Sequence, residues 1–200
     1  MGRPSNREQK RAEILKAFTR VLADHGYAGA TIAAIALEAG IAPGLVHHHF
    51  DDKAELLRGL VHDLVAKFRQ RVHHYETNED PLLAYVDGAL KLDEHADLVA
   101  AKCWVGVLAE AVRNPTLFAQ MRTLLDTEIS SIERRSGGRL TSAQAGSVLA
   151  FIIGALVIGA FAPRKTAGFA APGLRALVAA FGLQARTTKG PPAPPSGAGR

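Results

Sequence analysis

Three consecutive histidines are the residues of this chain whose chemistry first needs an explanation. His47, His48 and His49 lie in the segment GLVHHHF, residues 44–50. Imidazole rings can bind a metal ion, transfer protons or contact an acidic surface. Successive residues of a helix point about 100° apart, so these three rings cannot converge on one metal ion. No serine-nucleophile motif, glycine-rich phosphate loop or zinc-ligand spacing accompanies them, so the sequence predicts no enzyme activity, metal site or cofactor.

The segments around the histidines have the pattern of two short helices joined by a tight turn. Thr31 can cap the first helix, and Gly40 stands where a left-handed residue would end it. Pro43 is a favoured first residue for the second helix, which is predicted to end near Phe50. Val46 and Phe50 share one face of this helix. The residues predicted to face outward are Gly44, Leu45, His47 and His48.

Two short helices of this kind are typical of a helix-turn-helix, whose second helix meets the edges of DNA bases. The exposed histidines would then contact an acidic surface, whereas His49 lies nearer the core face. The start of the chain supports this interpretation because basic side chains outnumber acidic ones there. Within the first 20 residues the basic ones are Arg3, Arg7, Lys10, Arg11, Lys16 and Arg20, and the acidic ones are Glu8 and Glu13. A formal net charge of +5 also favours an acidic partner.

Apolar residues at helical spacing predict further helices along most of the chain. A first helix is expected from residue 7 to 25, and a long fourth helix after the capping pattern of Asp52 and Glu55. Later helices are predicted to start at residues 80–81, 114–115, 141 and 172. Because no alternating strand pattern occurs, the predicted fold is all-α with about nine helices.

The composition is that of an ordinary globular protein, with 48% apolar and 22% charged residues. The single Cys103 cannot form a disulfide within the chain, and the polar, basic start is no secretory signal. A cytoplasmic location is therefore expected. Residues 186–200 are rich in proline and glycine and are predicted to form a disordered tail.

Residues 145–161 form an almost purely apolar run that raises the alternative of a membrane span. The run is at the short end for a span, and the other predicted helices are amphipathic. Packing in the core or in a subunit interface is therefore the preferred interpretation, with no membrane partner.

The stretch TIAAIALEAGIAPGLVHHHFDDKAELL, residues 31–57, resembles the DNA-binding signature of the TetR family of transcriptional regulators. The pattern that carries the likeness is Gly40, Gly44, Phe50, Lys53 and Leu56. The resemblance implies an N-terminal DNA-binding domain, residues 1–51. It also implies a ligand-binding and dimerisation domain, residues 52–185.

The resemblance further implies which residues would contact DNA. Phosphate contacts are expected from Thr31 and Lys53, at the heads of the second and fourth helices. Base contacts are expected from Pro43, Gly44, Leu45 and His47, with His48 at a base or the backbone. Ala42 departs from the family pattern because it lacks a hydroxyl that would cap the recognition helix. Removal of such a cap typically lowers helix stability by about 0.5–2 kcal/mol. His47 replaces a frequent tyrosine, and its protonation would tighten DNA binding at mildly acidic pH.

For the second domain the resemblance implies a homodimer formed through residues 141–162 and 172–183. The expected partners are a double-stranded, pseudo-palindromic DNA operator and a small-molecule effector that releases the protein from it. Residues 103–122 resemble the BetI branch of the family. A cationic effector would need aromatic faces or a carboxylate, for which Trp104, Tyr85 and Glu110 are candidates. The candidate pocket residues, each also interpretable as core, are Phe68, Tyr85, Leu90, Trp104, Leu108, Phe118 and Met121.

Three functions remain open at this point. A ligand-responsive repressor is favoured by the motif together with the basic start of the chain. A DNA-binding regulator without an effector would have a collapsed domain around Trp104. A membrane-associated helical protein would place residues 145–162 in a bilayer.

Overall fold

The computed structural model describes residues 6–76, 80–90 and 98–187, and this part of the chain contains nine α-helices and no strand. The prediction of an all-α fold with about nine helices is confirmed. The helices are α1 (Asn6–Gly29), α2 (Ile32–Ala39), α3 (Pro43–His49), α4 (Lys53–Tyr75), α5 (Pro81–Leu90), α6 (Leu98–Ala111), α7 (Pro115–Arg135), α8 (Ser142–Phe161) and α9 (Pro163–Thr187).

The first three helices form a small bundle that shares a core with the start of α4. One face of α1 is buried because its apolar residues recur at helical spacing. These residues are Ile14, Ala17, Phe18, Val21 and Leu22. They belong to the same apolar cluster as Val46 of α3 and Leu60 of α4. α1 is interrupted at Gly26, close to its predicted end, by a non-helical backbone conformation.

Side chains cap four helices where the sequence predicts a start. The side chains of Thr31, Asp52, Asn114 and Thr141 each accept a hydrogen bond from the backbone N–H three residues later. These bonds satisfy N–H groups that have no partner inside the helix. Ala42 provides no such cap for α3, as its side chain predicts.

A second bundle is built from α5, α8 and α9 with parts of α4 and α7. Its core includes Tyr85 of α5, Ile152 of α8 and Leu174 of α9. α6 and α7 also contribute residues such as Cys103 and Met121 to the core of the first bundle. α7 contributes to both cores, with Met121 in the first and Ile132 in the second, and α6 contacts both α1 and α8.

The last helix begins earlier than the sequence predicts, so a start at Pro172 is wrong. α9 begins at Pro163, which occupies the first turn, where a helix does not need the missing N–H. Pro172 lies inside the helix and cannot donate to the carbonyl four residues earlier. The fully buried Leu174 holds this segment against the core. The tail predicted from residue 186 begins in the last turn of α9, and residues 188–200 lie outside the described part of the chain.

α8 is the helix of the described residues that is long and apolar enough to cross a bilayer. One face packs into the second core through Val148, Ile152 and Ala155. Ile158 and Phe161 remain 44% and 72% exposed. The apolar run therefore serves as a core helix on one side and has an uncovered apolar side in the single chain.

Candidate DNA interface and ligand cavity

The turn between α2 and α3 is made by Gly40. Its φ of 65° and ψ of 35° lie in the left-handed region, which a residue with a Cβ adopts at a cost. The Ile41 N–H then donates to the Ala36 carbonyl at 3.0 Å, which closes the end of α2. Half-buried Ile41 packs against the first core and directs the chain into Pro43.

α3 is divided into a buried and an exposed face, as the sequence predicts. Val46 is fully buried, and Phe50, which follows the helix, is 1% exposed. Pro43, Gly44, Leu45, His47 and His48 are exposed. The residues expected to contact bases therefore lie on the solvent side of a helix whose other side anchors it to α1 and α4.

The three histidines separate into two exposed rings and one buried ring. His49 is 8% exposed, and its Nδ1 atom is buried without a hydrogen-bond partner. Burial lowers the pKa of His49, and the nearby His48, Arg7, Arg11 and Lys10 lower it further. Its ring meets that of His48 edge to face at a centroid distance of 5.2 Å. Among residues 6–76, 80–90 and 98–187, no three His, Cys, Asp or Glu side chains are grouped so that they could hold a metal ion.

Arg11 ties the end of α3 to the first turn of α4. Its guanidinium lies 4.0 Å from the Phe50 ring centroid and donates to the His49 carbonyl. A second nitrogen donates to a Glu55 carboxylate oxygen at 2.8 Å, and the other oxygen accepts from the Asp51 N–H at 2.7 Å. The hydrogen bond from Arg11 is the largest cause of a lowered Glu55 pKa. Sequence reasoning missed this contact because Arg11 and Glu55 are 44 positions apart.

The two expected phosphate-binding residues both have structural partners. Thr31 is exposed, and its Oγ1 accepts from the Ala34 N–H at 3.1 Å. Lys53 donates from Nζ to the Tyr27 carbonyl at 2.7 Å and lies 4.0 Å from the centroid of the Tyr27 ring. The Thr31 hydroxyl and the remaining ammonium protons of Lys53 can still donate hydrogen bonds to a phosphate.

The basic start of the chain is partly neutralised by acidic neighbours. Lys10 pairs with Glu13, and Arg20 pairs with Glu38 at 2.8 Å. Arg11 pairs with Glu55 at 2.8 Å. The positive charge that α1 presents to solvent is therefore smaller than the sequence suggests.

A cavity of about 130 Å³ lies among α4, α5, α6, α7 and α8. Five of the seven predicted pocket residues line it: Phe68, Tyr85, Trp104, Leu108 and Met121. Leu90 and Phe118 do not line this cavity. Leu90 is 1% exposed and packed in the second core, whereas Phe118 is 54% exposed on the outer side of α7. Helical spacing identifies apolar residues on a helix face but does not say whether each of them meets the core, the solvent or the cavity.

Glu128 is one of three charged residues of the cavity wall that sequence reasoning missed. It follows Met121 by seven positions, so both lie on the same side of α7. The Tyr85 hydroxyl donates to one Glu128 oxygen at 2.9 Å, and Arg69 approaches the other at 3.5 Å. Burial, followed by the Glu128 carboxylate, raises the pKa of Tyr85. Lys67 and Arg71 of α4 also line the cavity.

Comparison with known proteins assigns this architecture to a family. The family described as bacterial regulatory proteins, tetR family, matches residues 14–60. The HTH-type transcriptional regulator BetI of Escherichia coli O17:K52:H18 is 30% identical over 158 residues, which cover 74% of this chain and 80% of that protein. The chain belongs to the TetR family of transcriptional regulators. BetI of Stenotrophomonas maltophilia is also 30% identical, but the match covers 54% of this TetR-family chain and 57% of that relative.

Solved structures agree with the fold of this TetR-family protein. A transcriptional regulator from Rhodococcus sp. Rha1 has a TM-score of 0.76 at 25% identity, covering 87% of this chain and 96% of that chain. A regulator from Saccharomonospora viridis, crystallised in complex with choline, has a TM-score of 0.69 at 21% identity, covering 87% and 95%. The family match includes α2 and α3, so these two helices are the helix-turn-helix of a DNA-binding transcriptional regulator.

Proposed function

We propose that this TetR-family regulator is a homodimeric repressor that binds a pseudo-palindromic operator and is released by a small molecule bound in the cavity. The observation that carries DNA recognition is the exposed face of α3 opposite its buried anchor. The proposed contacts are Pro43, Gly44, Leu45 and His47 to bases, His48 to a base or the backbone, and Thr31 and Lys53 to phosphates. Residues 1–51 would form the DNA-binding domain and residues 52–185 the ligand-binding and dimerisation domain.

α6 is one proposed route from the cavity to the DNA-binding helices. Trp104 lines the cavity, whereas the other side of α6 packs on α1. The Cys103 thiol donates to the Thr19 carbonyl of α1 at 3.1 Å. Lys102 lies 3.8 Å from the Asp24 carboxylate of α1. A ligand that displaces α6 would therefore move α1 with it.

α4 is the second route because it lines the cavity at one end and begins beside the recognition helix. Phe68 contributes to the cavity wall. Glu55, in the first turn, is joined through Arg11 to the carbonyl of His49 at the end of α3. An effector that binds one arrangement of α4 and α6 more tightly than the other shifts the protein toward that arrangement. Only this difference in affinity can release the operator.

The outer sides of α8 and α9 are the proposed dimer interface. It comprises residues 141–162 and 172–183, together with residues 163–171, which form the first part of α9. Ile158, Phe161 and Phe169 are 44%, 72% and 43% exposed in the single chain. Apolar side chains that neighbour one another on a surface indicate a protein contact. A two-fold axis through this face would place two copies of α3 about one turn of DNA apart.

The test is selection of DNA sites from a random library by the purified protein at one stated salt concentration. We expect one palindrome to be enriched. His47→Ala should weaken binding to that palindrome about tenfold or more, because one base contact is worth about 1–3 kcal/mol. His47 is preferable to Thr31 or Lys53 as a first target because the latter two also stabilise the fold through their hydrogen bonds.

His62→Ala is the matched control, since His62 is an exposed histidine of α4 outside the helix-turn-helix. It should keep the affinity of the unsubstituted protein. Absence of any enriched sequence, or an equal loss in both variants, would contradict recognition by α3.

A further inference from the structure

The wall of the cavity is apolar along most of its length. Aliphatic and aromatic side chains from α4, α6 and α8 form much of it, among them Leu64, Phe68, Trp104, Leu108, Ile152 and Leu156. A cavity of about 150 Å³ with a wall of leucine, isoleucine and phenylalanine stays dry and binds benzene. The cavity of about 130 Å³ found here therefore suits an apolar body of roughly six to eight carbon atoms.

Glu128 is the charged residue that lies inside the cavity. It is 9% exposed, whereas Lys67 and Arg71, which also line the wall, are exposed residues. The Tyr85 hydroxyl donates to one Glu128 oxygen at 2.9 Å, and an Arg69 nitrogen lies 3.5 Å from the other. These contacts hold the carboxylate in position. A ligand therefore meets a fixed hydrogen-bond acceptor at this end of the cavity.

The Glu128 carboxylate has the capacity to accept a hydrogen bond from a ligand. An ionised carboxylate offers about four lone-pair sites, and the described donors to Glu128 are Tyr85 and Arg69. A hydroxyl that donates to an ionised carboxylate forms a hydrogen bond about twice as strong as one between neutral groups. Glu128 therefore favours a ligand that carries a hydrogen-bond donor.

The same carboxylate disfavours a ligand with a negative charge. An anion would be repelled by Glu128 and would lose its hydration against an apolar wall. A permanent cation would also lose its hydration, and the Arg69 guanidinium already lies 3.5 Å from Glu128. A neutral hydroxyl costs less to transfer from water and still gains the bond to the carboxylate. The preferred donor is therefore uncharged.

The spacing along α7 sets the shape of the ligand. Met121 and Glu128 both line the cavity and are seven residues apart on this helix. With a rise of 1.5 Å per residue, they lie about 10 Å apart along the helix axis. A ligand that contacts both side chains must therefore be elongated, with its donor at one end.

We propose that the effector is a neutral alcohol or phenol with an elongated apolar body. Its hydroxyl donates to Glu128, and its body lies along α7 toward Met121, against Trp104 and Ile152. This inference rests on the proposed function, in which the cavity is the effector site.

Trp104 allows binding to be measured directly, because it is the single tryptophan of the chain and lines the cavity. The full-length protein is titrated with heptan-1-ol and with its isomer hexyl methyl ether, which has no donor. Heptanoate and heptyltrimethylammonium are the charged probes. Heptan-1-ol should change the Trp104 fluorescence in a saturable way and bind at least about tenfold more tightly than each of the other three. Equal or tighter binding of any of these three, or no binding of heptan-1-ol, would overturn the proposal.

The variant Glu128→Gln then tests the acceptor. It should weaken heptan-1-ol about tenfold and leave hexyl methyl ether unchanged, because the ether makes no hydrogen bond to residue 128. Heptanoate should bind more tightly to this variant, since the repelling charge is gone, and a purely structural role of Glu128 would not produce that gain. Asp126→Asn removes an exposed carboxylate of α7 outside the cavity wall and should leave all four affinities unchanged. Unchanged heptan-1-ol affinity in Glu128→Gln would refute the assigned acceptor.

A separate measurement of operator affinity distinguishes this inference from the proposed function. If heptan-1-ol binds as expected but the affinity for the selected operator does not change, the ligand class is supported and effector release is refuted. If the operator is bound and none of the four probes binds, DNA recognition is supported and the ligand class is refuted.

Discussion

His49 differs from the two histidines before it in what surrounds its ring. His47 and His48 face solvent, whereas His49 is turned into the contact between α1 and α3, where its Nδ1 has no partner. A neutral ring is favoured there because burial penalises charge and cationic neighbours add to the penalty. Helix geometry thus gives three identical neighbours two different environments, with two rings exposed and one buried.

The lowered pKa of His49 predicts a loss of stability on mild acidification. The unfolded chain, with a histidine pKa of about 6.5, binds a proton more readily than the folded protein, so the free energy of unfolding falls as the pH drops from about 7 toward 5. His49→Leu removes this proton uptake and should flatten the profile in that range. The measurement is urea unfolding at several pH values. Three carboxylates also have a lowered pKa: Glu55, Glu76 and Asp80. They change the free energy of unfolding only at lower pH, because the pKa of such a carboxyl in the unfolded chain is about 4.

His62→Leu, on an exposed histidine of α4, is the control for that series and should retain the slope of the unsubstituted protein. A His49→Leu profile parallel to the original would show that other groups cause the acid sensitivity.

Single-residue predictions succeeded where the cause was local. The exposed face of α3 and the missing cap at Ala42 follow from helical periodicity and from one side chain. The partners of Lys53 and Glu128 did not follow, because the Tyr27 carbonyl and the Tyr85 hydroxyl come from distant parts of the sequence. Periodicity places a residue on a face of its helix but does not say which other helix that face meets.

The pairing of α4 with α5 depends on one close approach. A Cβ at Gly88 would lie 2.6 Å from the Cα and 2.8 Å from the N of Val72. Both are backbone atoms, so rotation of a side chain cannot relieve the overlap. The absence of a side chain at residue 88 therefore sets the distance between two helices that both line the cavity.

Gly88→Ala should destabilise the protein although alanine is the better helix former. The clash with α4 is expected to cost about 1–3 kcal/mol, which exceeds the gain of about 0.5–1 kcal/mol from replacing a helical glycine. Chemical unfolding measures the difference. Gly168→Ala in α9 has no atom within 4 Å of the added Cβ and should be neutral or slightly stabilising. Equal stability of the two variants would mean that α4 and α5 separate without cost.

Helix starts were predicted correctly at the four side-chain caps and at Pro43, but not at Pro172. Thr31, Asp52, Asn114 and Thr141 each form the capping bond that their position predicts. Pro172 lies instead within α9, since packing of the residues around it outweighs one missing hydrogen bond. A proline without a cap is therefore an ambiguous signal, because Pro43 begins α3 whereas Pro172 lies inside α9.

At the scale of the molecule, the uncovered side of α8 and α9 is the feature that a single chain does not explain. The sequence identifies residues 145–161 as apolar all round, but only the fold shows that Val148 and Ile152 face the core while Ile158 and Phe161 face outward. A second copy of the same chain would cover this side. The two DNA-binding helices would then be held at a fixed spacing by an interface far from the DNA.

Phe161→Glu is expected to break the proposed dimer. Covering one phenylalanine contributes about 1.5–3 kcal/mol, and a two-fold axis places the substitution in both chains, so dimer affinity should fall at least about a hundredfold. Light scattering with size-exclusion chromatography measures the mass over a range of protein concentrations. The matched control is Phe118→Glu, since Phe118 is 54% exposed on α7, outside the proposed interface. We expect the Phe161→Glu variant to be monomeric and the Phe118→Glu variant to be dimeric. Only the Phe161→Glu variant should lose binding to the palindrome. If Phe118→Glu is the monomer, the interface lies on α7, and the spacing of the two recognition helices must be set there.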